Sequence, residues 1–219
     1  MIPFPESINN FIFIGEAGSG KSEISTAFAR CLATRCNRQV DFFDLDQTKP
    51  LFRSRDYLGG TDIPNLTLHY QEQLLDSPLS TPGVVESLSD SQVYTVLDVG
   101  GNVVGARMVA PFSQYTNSAD ALAWFIVNPY RPWSRNREVL NETIHQISAN
   151  SRIARFRFLS NPTFGPDTTL EQALSGHKEV VQMVAPNSVD ALCLDSKLAG
   201  QLGNTWDGPV FALDLSHRL

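Results

Sequence analysis

The sequence predicts an α/β domain built in three layers, helix over sheet over helix, around a mostly parallel central sheet. Three observations carry that expectation. Strand-like and helix-like patterns alternate from one end of the chain to the other, as they do when parallel strands are joined by crossover helices. The strand patterns are near-continuous apolar runs, such as Phe11-Ile12-Phe13-Ile14 and Val93-Tyr94-Thr95-Val96-Leu97, which suits strands covered on both faces. Each run then stops at glycine or a polar residue, and the carboxyl ends of parallel strands are where open sheets gather their ligands. With 219 residues, 42% hydrophobic and 18% charged, the chain suits one domain over 1–219.

Taken in order, the first strand runs from Phe11 to Ile14. A helix follows, with Ile24, Ala27, Phe28, Cys31 and Leu32 recurring on one face. Gln39 to Asp44 reads as the second strand, and a polar loop from Gln47 to Asn65 leads to a short strand at Leu66 to Tyr70. Turn residues between Ser77 and Pro82 precede a short helix at Val84 to Leu88. Further strands are expected at Val93 to Leu97, Ala119 to Val127, Phe156 to Ser160, Ala191 to Leu194 and Val210 to Leu213. Helices are expected from Ser134 to about Ser148 and from Leu170 to Met183. Trp124 and Phe125 fall inside an apolar strand and read as core.

The run Gly15-Glu16-Ala17-Gly18-Ser19-Gly20-Lys21-Ser22 spells the phosphate-binding P-loop, GxxxxGK[ST]. Its setting is the required one, a buried strand before and a helix after, so the expected fold narrows to a three-layer α/β/α P-loop NTPase. Glycines let consecutive N–H groups face phosphate oxygens, Lys21 reaches the β- and γ-phosphates, and the Ser22 hydroxyl ligates Mg²⁺. The helix adds its positive N-terminal end. The nucleotide-binding candidates here are Gly15, Gly18, Ser19, Gly20, Lys21, Ser22 and, in the first turn, Glu23.

Other strand ends would complete the machinery. Asp98 stands where a carboxylate holds Mg²⁺ directly or through water, and Gly101 follows it in an Asp-x-x-Gly arrangement whose N–H can sense a γ-phosphate. The competing reading of Asp98 is a turn former after a strand. Asp44 and Asp46, one residue apart, face one side of an extended backbone, where carboxylates orient an attacking water or support a metal; a solvated acidic turn is the alternative. The candidate metal ligands are thus Ser22, Asp98 and Asp46, and the candidate catalytic residues Lys21, Asp46 and Asp44. Lys49, Arg53, Arg55 and Arg131 stand out as cations near strand ends, suited to binding anions.

The net charge of −6 disfavours nucleic acid and anionic lipid as partners. Nothing resembles a signal peptide or a membrane span, and no amphipathic membrane helix is expected after the last strand. Cys31, Cys36 and Cys193 make no CxxC pair and read as reduced thiols of a cytoplasmic protein. The four histidines show no ligand spacing.

These residues resemble the CobQ/CobB/MinD/ParA-like P-loop nucleotide-binding domains. The carriers are GEAGSGKS at 15–22, DLDQTKPLFRSRD at 44–56, LDVGGNVVGAR at 97–107, IVNPYRP at 126–132 and LSNP at 159–162, and the likeness is nearest to a little-described bacterial branch. The resemblance implies that Asp46 first and Asp44 second serve the switch and activate water, and that Asn161, with Pro162 beside it, reads adenine. A guanine-reading N/TKxD run is absent, which favours ATP with Mg²⁺. Position 16 departs from the pattern: many dimers of this class carry a lysine there that reaches the partner's nucleotide, and this chain has Glu16. Missing positive charge is then sought in Lys49, Arg53 and Arg55, supplied in cis or in trans. The expected function is an ATP-dependent molecular switch, a slow ATPase acting on a partner protein, with a nucleotide-dependent homodimer left open. The alternatives are a phosphotransferase or ligase acting on a small anionic metabolite, and a nucleotide-binding protein that does not hydrolyse.

Overall fold

A computed structural model describes residues 2–36, 38–46, 63–69, 83–203 and 206–214. Each of the eight strand patterns forms a strand, and all eight join one sheet: β1 (Asn10–Ile14), β2 (Val40–Asp44), β3 (Leu66–His69), β4 (Tyr94–Asp98), β5 (Ala121–Val127), β6 (Arg157–Ser160), β7 (Val189–Asp195) and β8 (Val210–Leu213). The order across the sheet is β3-β2-β4-β1-β5-β6-β7-β8, and every neighbouring pair is parallel. The sheet is therefore wholly rather than mostly parallel. β1 lies between β4 and β5, so the chain leaves its centre toward one edge first and toward the other later. That reversal opens a crevice at the carboxyl end of β1.

The apolar runs of the strands are explained by two separate cores. Phe11 and Phe13 face α1 (Lys21–Arg35), where they meet Ile24, Phe28 and Leu32 together with Val96, Trp124 and Ile126 of neighbouring strands. Ile12 and Ile14 point the other way, into a core shared with α2 (Val84–Ser89), α3 (Val103–Val109), α5 (Arg137–Ser151) and α6 (Leu170–Val184). All five residues of β1 are buried, so no polar alternation can appear in it. Two four-residue helices, α4 (Ser113–Thr116) and α7 (Ser196–Ala199), complete the described elements, with 3₁₀ turns at Ala110–Phe112 and Pro132–Ser134.

Helix boundaries follow their caps. α5 begins at Arg137, not at Ser134, because Pro132–Ser134 makes a tight turn and the Asn136 side chain then accepts from the Val139 N–H. α6 starts on a capping box between Thr169 and Gln172. α3 was not anticipated from the sequence, since a glycine interrupts its short apolar run. Gly105 is there for proximity: a Cβ on it would lie 2.5 Å from Gly100 Cα.

His177 on α6 meets the Trp206 ring edge to face at 5.1 Å. Its Nδ1 is buried without a hydrogen-bond partner among the described residues, and burial holds its pKa below the ordinary histidine value of 6.5. The folded state therefore binds this proton less well than the unfolded chain does. The resulting stability is full above about pH 6.5 and is lost as pH falls through the folded pKa. In thermal melts, the parent should lose more melting temperature than His177→Gln on going from pH 7.5 to pH 5.5. Parallel melting curves of the two proteins would exclude this.

Candidate functional site

The crevice is built around the loop between β1 and α1. Gly15 has φ +142° and Gly20 has φ +91°, conformations that side chains rarely adopt. At Gly15 there is a second constraint, because a Cβ would lie 2.8 Å from the Ile126 carbonyl oxygen of β5. Gly20 is also the N-cap of α1 and offers no side-chain cap, whereas α3, α5 and α6 are each capped by a side chain.

Four consecutive carbonyls of this loop are each tied to a side chain. Lys21 Nζ donates to the Glu16 oxygen at 3.2 Å, Trp133 Nε1 to that of Ala17 at 2.9 Å, Arg131 Nε to that of Gly18 at 3.0 Å, and Asn161 Nδ2 to that of Ser19 at 2.7 Å. Arg131 and Trp133 come from the turn after β5, and Asn161 from the end of β6. Among the described residues nothing accepts from the N–H groups of Gly18 and Gly20, and the buried Ser19 hydroxyl has no partner. Anchored carbonyls with unengaged N–H groups make a receptor for an anion.

On the β4 side, Asp98 is fully buried and lies in register with Phe13 of β1 and Asp44 of β2. Its carbonyl accepts from the Leu45 N–H at 2.9 Å, joining the two strand exits. Gly101 presses on the loop: a Cβ there would lie 2.5 Å from Lys21 Nζ and 2.9 Å from both the nitrogen and the Cα of Ala17. The two carboxylates after β2 have different surroundings. Asp44 Oδ1 accepts from the Asp46 N–H at 3.0 Å and so forms an Asx turn. Asp46 Oδ1 would be 3.2 Å from a Cβ on Gly100, which puts its carboxylate against the β4 exit.

Among the described residues no group of three or more His, Cys, Asp or Glu side chains is arranged to hold a metal ion. Mg²⁺ does not need one, since it keeps several waters and takes one or two protein oxygens beside the phosphates. Ser22 in the first turn of α1, with the buried carboxylate of Asp98 on the strand next to β1, suits that kind of site.

On the β6 side, a Cβ on Gly20 would lie 2.1 Å from Asn161 Nδ2. A cavity of about 410 Å³ begins here, bounded by Glu23, Asn161, Pro162, Thr163, Asp195 and Lys197 among others. Phe164, more than half exposed, stacks on Tyr130 at 3.8 Å at the rim.

The structure thus gathers Gly15, Gly18, Ser19, Gly20, Lys21, Ser22, Glu23, Asp46, Asp98, Gly101, Arg131, Asn161 and Pro162 around one crevice. Arg107 is turned away, donating to Asn150 of α5. Lys49, Arg53 and Arg55 lie outside the described residues. Trp133 was missed in the sequence, where the available signal was its place just after a strand end, beside Arg131 and Pro132. No helix of the described residues is long and apolar enough to cross a membrane. No protein-family model matches the chain, and no curated protein matches it.

Proposed function

We propose that this chain is a P-loop protein of the MinD/ParA-like class that binds ATP with Mg²⁺, and that it works as a slow ATPase switching a partner protein. The observation that carries the reading is the loop at the start of α1, whose carbonyls at 17–19 are tied to side chains of the β5 turn and the β6 end while Lys21 is buried at its base. Such a loop is ready for a polyphosphate before one arrives. Mg²⁺, held by Ser22 and Asp98, would neutralise charge on the phosphates. Asp46, against the β4 exit beside Gly101, is positioned to orient water near the terminal phosphate, and Asp44 supports it through the Asx turn. The cavity beyond Glu23 takes the nucleoside. There Asn161 has a second task, because one of its amide protons already holds the Ser19 carbonyl; its Oδ1 and other proton are the groups left for an adenine edge.

The test is calorimetric titration of the full chain with Mg²⁺-ATP and Mg²⁺-GTP, followed by phosphate release. Saturable ATP binding with slow turnover is expected, and no binding of either nucleotide would overturn the proposal. A metabolite that accelerates turnover, where no protein does, would favour the phosphotransferase reading. The anchors are testable separately. Arg131→Met and Trp133→Phe should each weaken Mg²⁺-ATP about fivefold to thirtyfold by freeing one loop carbonyl, with Arg131→Lys recovering part of the loss. Unchanged affinity in both would show that the loop does not depend on the β5 turn.

A further inference from the structure

We propose that Glu16 is a built-in stand-in for the terminal phosphate, a specificity-determining residue that makes the site favour a nucleoside diphosphate over the triphosphate. The inference rests on the nucleotide reading above and deepens it. Glu16 Oε1 accepts from the Ala17 N–H at 2.8 Å. That nitrogen lies at the corner where the loop meets the β4 exit, since a Cβ on Gly101 would lie 2.9 Å from Ala17 N and 2.5 Å from Lys21 Nζ. A backbone donor, the glycine after the β4 aspartate and the lysine ammonium therefore converge on a few ångströms of space. The Ala17 N–H at that corner is taken by the chain's own carboxylate.

A carboxylate and a phosphate oxygen are both acceptor-only anions, so they compete for one N–H and repel each other at this range. Movement of the loop is restrained, because the carbonyls of Ala17, Gly18 and Ser19 are tied to Trp133, Arg131 and Asn161 from other elements. The Glu16 side chain can instead rotate about its single bonds, and it is half-buried at the loop edge. Entry of a third phosphate thus requires Glu16 to leave the Ala17 N–H. A diphosphate, which stops short of that corner, leaves it in place.

The experiment is titration of the full chain and of Glu16→Gln and Glu16→Ala with Mg²⁺-ATP and Mg²⁺-ADP, with melting curves of each protein. Glutamine keeps the size and one acceptor but removes the charge, and alanine removes both. ATP should bind about tenfold tighter to Glu16→Ala, with Glu16→Gln between it and the parent, while ADP stays within twofold. An ATP-to-ADP affinity ratio that stays within twofold of the parent's in both variants, or that falls, overturns the assignment of Glu16 alone. A parent that binds neither nucleotide overturns the nucleotide reading and the Glu16 assignment with it.

Discussion

Lys21→Ala is expected to lower the affinity for Mg²⁺-ATP by at least about a hundredfold while leaving the fold in place. Lys21 is only 1% exposed, and its ammonium sits under the loop it would serve, donating to the Glu16 carbonyl and lying against Gly101. A hydrogen bond to a charged group contributes about 1.5–3 kcal/mol, and on the proposed function the lysine would offer its charge to two phosphates at once. Each 1.4 kcal/mol is a factor of ten, so loss of both contacts amounts to two orders of magnitude or more. The helix that carries Lys21 is held by Ile24, Phe28 and Leu32 in the core beneath the sheet, and none of these is touched by the change. Calorimetry on parent and variant, with circular dichroism to establish that α1 survives, is the measurement. Affinity within threefold of the parent in a folded variant would remove the central element of the functional reading.

Gly15→Ala should have the largest effect on stability, about 3 kcal/mol or more. Two costs combine there. The backbone sits at φ +142°, where a side chain is strained by about 1–3 kcal/mol. In addition, the new Cβ would lie 2.8 Å from the Ile126 carbonyl oxygen, which is backbone of a central strand and cannot swing aside. For a chain of this length the melting temperature should fall by about ten degrees. Gly203→Ala is the control, because Gly203 has φ +60° but no atom of the described residues within 4 Å of its Cβ position. It should cost only about 1 kcal/mol. Equal destabilisation by the two substitutions would mean that backbone conformation alone, and not the approach of β5 to the loop, governs the cost at Gly15.

The contrast between these two glycines shows what was legible in the sequence. That Gly15 opens a glycine-rich loop with the spacing of a phosphate-binding motif is readable from the glycines before Lys21-Ser22. That a β5 carbonyl closes over it is not, because Ile126 lies in a run that reads simply as buried strand. The helix at 21–35 was visible through its apolar spacing, and those expected at 134–148 and 170–183 form at 137–151 and 170–184. α3 was hidden because Gly105 lowers local helix propensity, and its reason for being glycine is contact with Gly100, which only the fold creates. Asp44 and Asp46 were paired by their spacing, yet the turn at the end of β2 separates them, one carboxylate closing the backbone and the other reaching the β4 exit.

What the sequence by itself determined is the order of strands and helices, the burial of the sheet on both faces, and the loop of glycines before a lysine. These are local patterns of periodicity and spacing, and each is complete within a few residues of its own segment. What only the tertiary structure decided is which distant groups hold that loop. The donors to the carbonyls of Gly18, Ala17 and Ser19 are 113, 116 and 142 residues away in the chain. They arrive because β1 pairs with β5 rather than with β2, the strand next in sequence, and β5 then pairs with β6. Strand order is set by how crossovers pack over a whole sheet, and no local segment encodes it.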